Sequence, residues 1–298
     1  MSEVITPPGT IEPVFGLQIF SEAAYVVGPA SSFGTAAAAA GGGQDIVVQP
    51  QDLNVDSDDI IFAEDPTSSQ FDYIVNSGNG DDIVSLAAGD DIVFAGQGND
   101  IVFAAGGDDT VYGGDQADRL LGGTGDDILF GEGDDDTIRG GTGSDTIFGG
   151  QGNDSLAGGA GDDTIFGGQG LDWMRGGAGN DLLAAGVGKD EMTGGSGADR
   201  FRLGRGANIE LDTITDFNPN EDILQINRSL LPGSGLGNGV LDAADFEVVN
   251  KIGAGSDAKV VYESSTGLVY YNPGAGSPVA LVQMGKGLNL DADAFRIV

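Results

Sequence analysis

The sequence predicts an all-β fold: a right-handed parallel β-roll, or β-solenoid, of nonapeptide repeats, with a small β-rich C-terminal region. Three observations predict it. Residues 77–202 divide into fourteen consecutive blocks of nine without one insertion or deletion. Position eight of every block is apolar, from Val84, Val93, Val102 and Val111 to Met174, Leu183, Met192 and Phe201. Glycine fills 54 of 298 positions, far above the roughly 7% of an average chain.

The clearest blocks are residues 122–130, Gly-Gly-Thr-Gly-Asp-Asp-Ile-Leu-Phe, and residues 158–166, Gly-Gly-Ala-Gly-Asp-Asp-Thr-Ile-Phe. A fixed short period marks a stacked architecture in which each unit buries its face against the next. Glycines at positions one, two and four permit backbone angles closed to other residues. The expectation is a tight turn over the first six residues and a short strand over the last three. Position eight faces inward because side chains alternate along a strand, and positions seven and nine face out. Two blocks complete a coil, so block n stacks on block n+2. Fourteen blocks make seven coils, about 30–35 Å long at ~4.8 Å between strands.

Position six is Asp in all fourteen blocks: Asp82, Asp91, Asp100, Asp109, Asp118, Asp127, Asp136, Asp145, Asp154, Asp163, Asp172, Asp181, Asp190 and Asp199. A tight turn aims carbonyl oxygens inward, and the Asp adds a carboxylate. Calcium takes six to eight oxygens at about 2.3–2.6 Å, which two stacked turns supply and one does not. These fourteen Asp are therefore the candidate metal ligands, for multiple calcium ions. A repeated acid has no unique environment to tune it for acid–base chemistry, so no catalytic residue is expected. Like charges ~4.8 Å apart repel by about 3.5 kcal/mol at an effective dielectric near 20. Residues 77–202 hold 24 acidic and 6 basic residues, a net charge of −18 that nine calcium ions would cancel. The chain is expected to be largely disordered without calcium and folded with it.

Some blocks break the pattern. The fifth has Gln116 at position four, and the seventh has Asp134 there and Glu132 at position two. These two blocks stack on one another, so the site shared by Asp118 and Asp136 is expected to be weak, distorted or empty. Leu86, Ala87, Ala95, Ala104 and Ala105 replace glycine in the early blocks and are expected to be strained. On the outside, position nine of the even blocks reads Phe94, Tyr112, Phe130, Phe148 and Phe166. These fall on consecutive rungs and predict an aromatic ladder, about 20 Å long. Either the chain's own flanks cover this apolar patch or it is a surface for assembly or adhesion.

Composition narrows the function. With 47 acidic and 12 basic residues the net charge is −35, which disfavours nucleic acid and anionic membranes. There is no cysteine and no histidine, which excludes disulfides, thiolate sites and the commonest zinc ligand. No cleaved signal peptide and no membrane span is legible.

Residues 1–44 read as an N-terminal arm or linker, with an apolar stretch over 11–27 and a low-complexity run over 36–43. Residues 45–76 carry degenerate echoes of the strand, Asp45-Ile-Val-Val48, Asp59-Ile-Ile-Phe62 and Asp72-Tyr-Ile-Val75, expected to cap the solenoid. Residues 77–202 are the calcium-binding roll. Residues 203–298 read as a C-terminal β cap: strand, turn, strand over 212–226, a hairpin over 259–271, and a further strand over 280–284.

The block pattern, G-G-x-G-x-D-x-U-x, resembles that of the RTX (repeats-in-toxin) calcium-binding proteins. The tail resembles the C-terminal region of serralysin-type secreted proteins in Asp212-Thr-Ile-Thr-Asp-Phe217, in the hairpin and in the closing Asp293-Ala-Phe-Arg-Ile-Val298. The resemblance implies calcium held by the position-six Asp residues and turn carbonyls. It also implies type I secretion through an uncleaved C-terminal signal, hence an extracellular or cell-surface protein of a Gram-negative-type bacterium. Without histidine the zinc-protease activity of some relatives does not carry over. The expected function is a secreted, non-enzymatic, calcium-folded structural protein that forms a homo-oligomer, filament, surface layer or matrix. The alternative is a monomeric calcium-dependent adhesion or ligand-binding module.

Overall fold

In the computed structural model the described residues are 72–204, 211–250, 258–273, 277–298 and Asp58, with strands Ala24–Val27, Thr35–Ala37, Ile46–Gln49 and Ile60–Ala63. Most of the expected N-terminal arm lies outside them. Two sheets face each other along the chain, and odd- and even-numbered rungs alternate between them. Within the roll each strand pairs in parallel with the residues eighteen before and eighteen after it. Leu120 lies between Val102 and Ile138 in one sheet, and Leu129 between Val111 and Ile147 in the other. An offset of eighteen is two blocks per coil, as the repeat requires. With the flanking strands the solenoid runs to about ten turns.

The core is the thin layer between the sheets. Val84, Leu120, Ile138, Met174 and Met192 from one sheet, and Val93, Leu129, Ile147, Leu183 and Phe201 from the other, are at most 1% exposed. Burying each such side chain stabilises the fold by about 1.5–3 kcal/mol. With one large apolar residue per block, that layer must offset the ordering of all nine residues.

The strands are longer than expected. Most run six residues, as in Thr110–Asp115 and Thr164–Gln169, from position seven of one block through position three of the next. The turn shrinks to positions four to six. Position two makes this possible: Gly123 sits at φ 125° and still pairs with Gly141, so the strand bends without leaving the ladder. Position-one glycines such as Gly122 and Gly140 are not in the left-handed region. Their need for glycine is steric rather than conformational.

Both ends continue the ladders. Ile46–Gln49 and Ile60–Ala63 pair in parallel with the first regular rungs, and each is closed outside by an antiparallel strand. Past Arg202 the register carries on: Met192 pairs with Ile214 and Phe201 with Leu224. The expected hairpin is Val260–Glu263 with Leu268–Tyr271, and Val279–Gln283 joins it antiparallel. Phe295–Ile297 extends the other sheet from Ile223–Ile226 in parallel, and Gly239–Val240 closes it antiparallel. Tyr262 is fully buried and its hydroxyl donates to Gly285 O at 2.5 Å, which ties the hairpin to the segment after it. Among the described residues the only helices are three 3-10 turns, and none is long and apolar enough to cross a membrane.

Candidate calcium sites along the turn edges

All fourteen position-six Asp residues are at most 3% exposed. They form two ladders, one per turn edge, in which each carboxylate reaches back one coil. The backbone N–H of Asp109 donates to Asp127 Oδ1 at 2.9 Å, and that of Asp136 to Asp154 Oδ1 at 2.9 Å. One oxygen per carboxylate is thereby satisfied. The other is not: Oδ2 of Asp91, Asp100, Asp109, Asp118, Asp127, Asp136, Asp145, Asp154, Asp163, Asp172 and Asp181 is buried with no hydrogen-bond donor.

A buried anionic oxygen without a donor is costly, and the carboxyl groups register that cost. Burial pushes Asp109 and Asp136 up to about 8, with neighbouring carboxylates adding to the rise and the backbone N–H partly opposing it. Burial likewise pushes Asp118, Asp127 and Asp163 up to about 7. A cation is the group that would satisfy these oxygens, and a second acceptor marks where it would sit. A methyl built on Gly122 would overlap Asp127 Oδ2 and approach Gly140 O, the carbonyl one coil on. The same convergence recurs at Gly131 with Asp136 Oδ2 and Gly149 O, and at Gly176 with Asp181 Oδ2 and Gly194 O. Position-one glycine keeps this cradle open. Among the described residues no three carboxylates gather at one point, so the donor set is one carboxylate per rung with main-chain carbonyls. Those are hard oxygen ligands, which fit calcium.

Five matches to the RTX calcium-binding nonapeptide repeat (four copies) cover residues 76–111, 112–147, 139–174, 148–183 and 175–210. The chain belongs to the RTX family. Among solved structures it is similar to the AlgE6R3 subunit from the Azotobacter vinelandii mannuronan C5-epimerase, at 30% identity over 55% of this chain and 78% of that one. The TM-score is 0.29, so the fold rests on the ladder registers above. No curated protein matches the chain.

The RTX roll uses residues that the sequence pattern did not single out. Position five forms a second, exposed ladder that reaches the opposite way. Asp108 N–H donates to Asp90 Oδ1 at 2.9 Å, Asp126 N–H to Asp108 Oδ1 at 2.8 Å, and Asn153 N–H to Asp135 Oδ1 at 2.6 Å. The adjacent acids at positions five and six thus clamp the coil ahead and the coil behind. The frequency of Asp or Asn at position five was the available signal. Asp212 and Asp222 were missed for another reason. They continue the position-six ladders at offsets of 22 and 23 residues, accepting from Asp190 N–H and Asp199 N–H, and so escape a period of nine.

The irregular RTX blocks separate into two kinds. Among the described residues, Ala105, Gln116, Glu132 and Asp134 are the non-glycine residues with positive φ, at 83°, 80°, 77° and 68°. Glycines at position four lie between 119° and 152°, so Gln116 and Asp134 fall well short of the turn's preferred angle. The regular bond from position-four N–H to the next coil, as in Gly107 to Thr124 O at 2.8 Å, lapses at both, and Gly133 N–H donates to Gly114 O instead. The turns bearing Asp118 and Asp136 are thus distorted, as the substitutions implied. Leu86, Ala87, Ala95 and Ala104, also expected to be strained, are not in the left-handed region. Only Ala105 among the early substitutions is.

Proposed function

We propose that this RTX protein is a secreted, non-enzymatic structural protein, folded by calcium through the fourteen position-six Asp residues, that assembles into a filament, surface layer or matrix. Residues 45–76 and 203–298 act as its caps, the latter also carrying the type I secretion signal.

One observation carries the assembly. Phe94, Tyr112, Phe130, Phe148 and Phe166 stack in an unbroken column with ring centroids 4.8–5.0 Å apart and interplanar angles of 2–5°. Phe94 is 42% exposed and the other four are half-buried. Ile92 and Ile128 stand exposed two residues before Phe94 and Phe130 on the same face. Each inner ring has both faces covered by its neighbours, so the column offers ring edges to solvent. A sugar stacks on a ring face, which disfavours the adhesion alternative. An apolar stripe of ring edges suits packing against another apolar stripe.

The test is a calcium titration of the purified full chain from chelator upward, followed by circular dichroism and light scattering on one sample. Particle mass that rises with β structure supports assembly. A folded roll that stays monomeric at every protein concentration overturns it.

A further inference from the structure

Besides the aromatic stripe, the opposite sheet has a charge pattern out of keeping with the chain. The protein has 12 basic residues against 47 acidic ones, yet Arg119, Arg139 and Arg175 all lie exposed on the outer face of that sheet. No hydrogen bond or ion pair among the described residues engages their side chains. Counting rungs from Arg119, they stand on the first, second and fourth, with Arg119 in register with Thr137, and Arg139 and Arg175 two residues further along the strand in register with Leu121 and Ala157. The third carries the uncharged Ser155 and Ala157.

The even turn edge carries the complementary pattern. Asp108, Asp126 and Asp162 occupy position five on its first, second and fourth rungs, and Ser144 stands on the third. All three carboxylates are exposed. Each is held rigid because its Oδ1 accepts the N–H of the next coil: from Asp126 at 2.8 Å, Ser144 at 2.6 Å and Asn180 at 2.7 Å. Both sets ride on the same strand spacing, so they match rung for rung only in a molecule with the same rung repeat, the long Arg119 side chain spanning its two-residue offset from the column of Arg139 and Arg175.

We infer that the arginine face is a docking surface for a second copy of this chain, which presents its even turn edge with the two rolls parallel. Arg119 faces Asp108 of the other copy, Arg139 faces Asp126 and Arg175 faces Asp162. Trp173, 59% exposed, lies two residues before Arg175 on the same face, with its indole N–H on Glu191 at 3.1 Å. It supplies a flat apolar anchor beside the third pair, of the kind that concentrates binding energy at interfaces. Preformed carboxylates lower the ordering cost of the contact. Face and edge are different surfaces, so a pair of copies keeps one of each free and the contact propagates. The inference rests on the assembly reading and adds a charged, directional contact to the apolar one.

The experiment is sedimentation velocity on the full chain in saturating calcium, at about 50 and about 500 mM salt, with circular dichroism confirming the fold of every variant. Arg139→Glu and Asp126→Arg each weaken low-salt association about tenfold, and the Arg139→Glu/Asp126→Arg double variant restores it. A double variant no better than either single one overturns the pairing. Phe130→Ser separates the two readings, because it removes association at both salt concentrations if the aromatic stripe assembles the protein. If Phe130→Ser assembles normally while the charge variants do not, the aromatic reading falls and this one stands. Polygalacturonate serves as the anionic-polymer probe. If Arg139→Glu abolishes its binding and leaves self-association intact, the second copy is not the occupant.

Discussion

Asp127 and Asp145 are bonded across one coil: the backbone N–H of Asp127 donates to Asp145 Oδ1 at 2.9 Å, and Asp145 Oδ2 is left buried with no donor. The same half-satisfied carboxylate recurs from Asp91 to Asp181. The first oxygen stitches neighbouring coils together; the second makes the stitch unfavourable unless a cation or a proton meets it.

Calcium removal should therefore unfold the roll. In excess chelator the far-UV circular dichroism should lose most of its β signal and regain it on adding calcium. A full β signal in chelator contradicts the requirement for metal.

Protons should partly replace calcium. In the calcium-free roll, burial raises Asp127 and Asp163 to about 7 and Asp136 to about 8, against roughly 3.9 for an unfolded Asp. Between those values the folded chain binds more protons than the unfolded one, so its stability rises as pH falls and is lost as pH climbs through 7 to 8. The calcium-free chain should gain β structure from pH about 8 down to about 5, above its pI of about 4.1. With calcium present the trend reverses, and the half-saturating concentration rises as protons compete for the same oxygens. A calcium-free signal flat over that range refutes the first half.

A methyl group at position one should abolish a site. On Gly158 it would overlap Asp163 Oδ2, so Gly158→Ala should lower the calcium stoichiometry by one. Ala95 already holds that position beside Asp100, and Ala95→Gly should raise stoichiometry or affinity there. Isothermal titration calorimetry on both variants decides it. Unchanged binding in Gly158→Ala means that the cradle is not where the metal sits.

The distorted turns of the fifth and seventh blocks should be repairable. Gln116→Gly with Asp134→Gly should relieve about 1 kcal/mol of backbone strain per residue and restore the position-four bonds to the neighbouring coils. Thermal unfolding in calcium should shift up by several degrees, about 2–4 °C per kcal/mol for a chain of this size. A lower midpoint would mean that Gln116 and Asp134 make compensating contacts.

Leu129 and Phe130 are adjacent and face opposite ways. Leu129 is fully buried, so Leu129→Ala should cost about 2–5 kcal/mol in a calcium-saturated denaturant titration. Phe130 stacks between Tyr112 and Phe148 on the outside. Phe130→Ser should cost about 1–3 kcal/mol, since two stacked pairs are lost, and its larger effect should be on association. Equal effects of the two on stability would contradict the assignment of inner and outer faces.

Much of this was legible along the chain because a period of nine repeated fourteen times reports the same geometry fourteen times. The apolar residue at position eight, the invariant Asp at position six and the aromatic column at position nine each point to one face. Strand length was not legible, because glycine pairs read as turn and only the register shows Gly123 and Gly141 still paired within the sheet. Position five was not legible either, since an exposed Asp looks like solvation until its oxygen is seen on the next coil's N–H. The roles of Asp212 and Asp222 needed coordinates because the intervening loops shift their offsets to 22 and 23 residues.

By itself the sequence determined what is local and repeated: two blocks per coil, an inward apolar row, an acidic turn, and a metal to offset that acid. The tertiary structure decided what depends on one coil meeting the next. It assigned one carboxylate oxygen to the neighbouring N–H and left the other exposed to a cation's pull. It also set Arg119, Arg139 and Arg175 and Asp108, Asp126 and Asp162 on matching rungs of different surfaces. The physical reason is that residues eighteen apart become neighbours only after stacking, so bonds, repulsions and patterns between them do not exist in the unstacked chain.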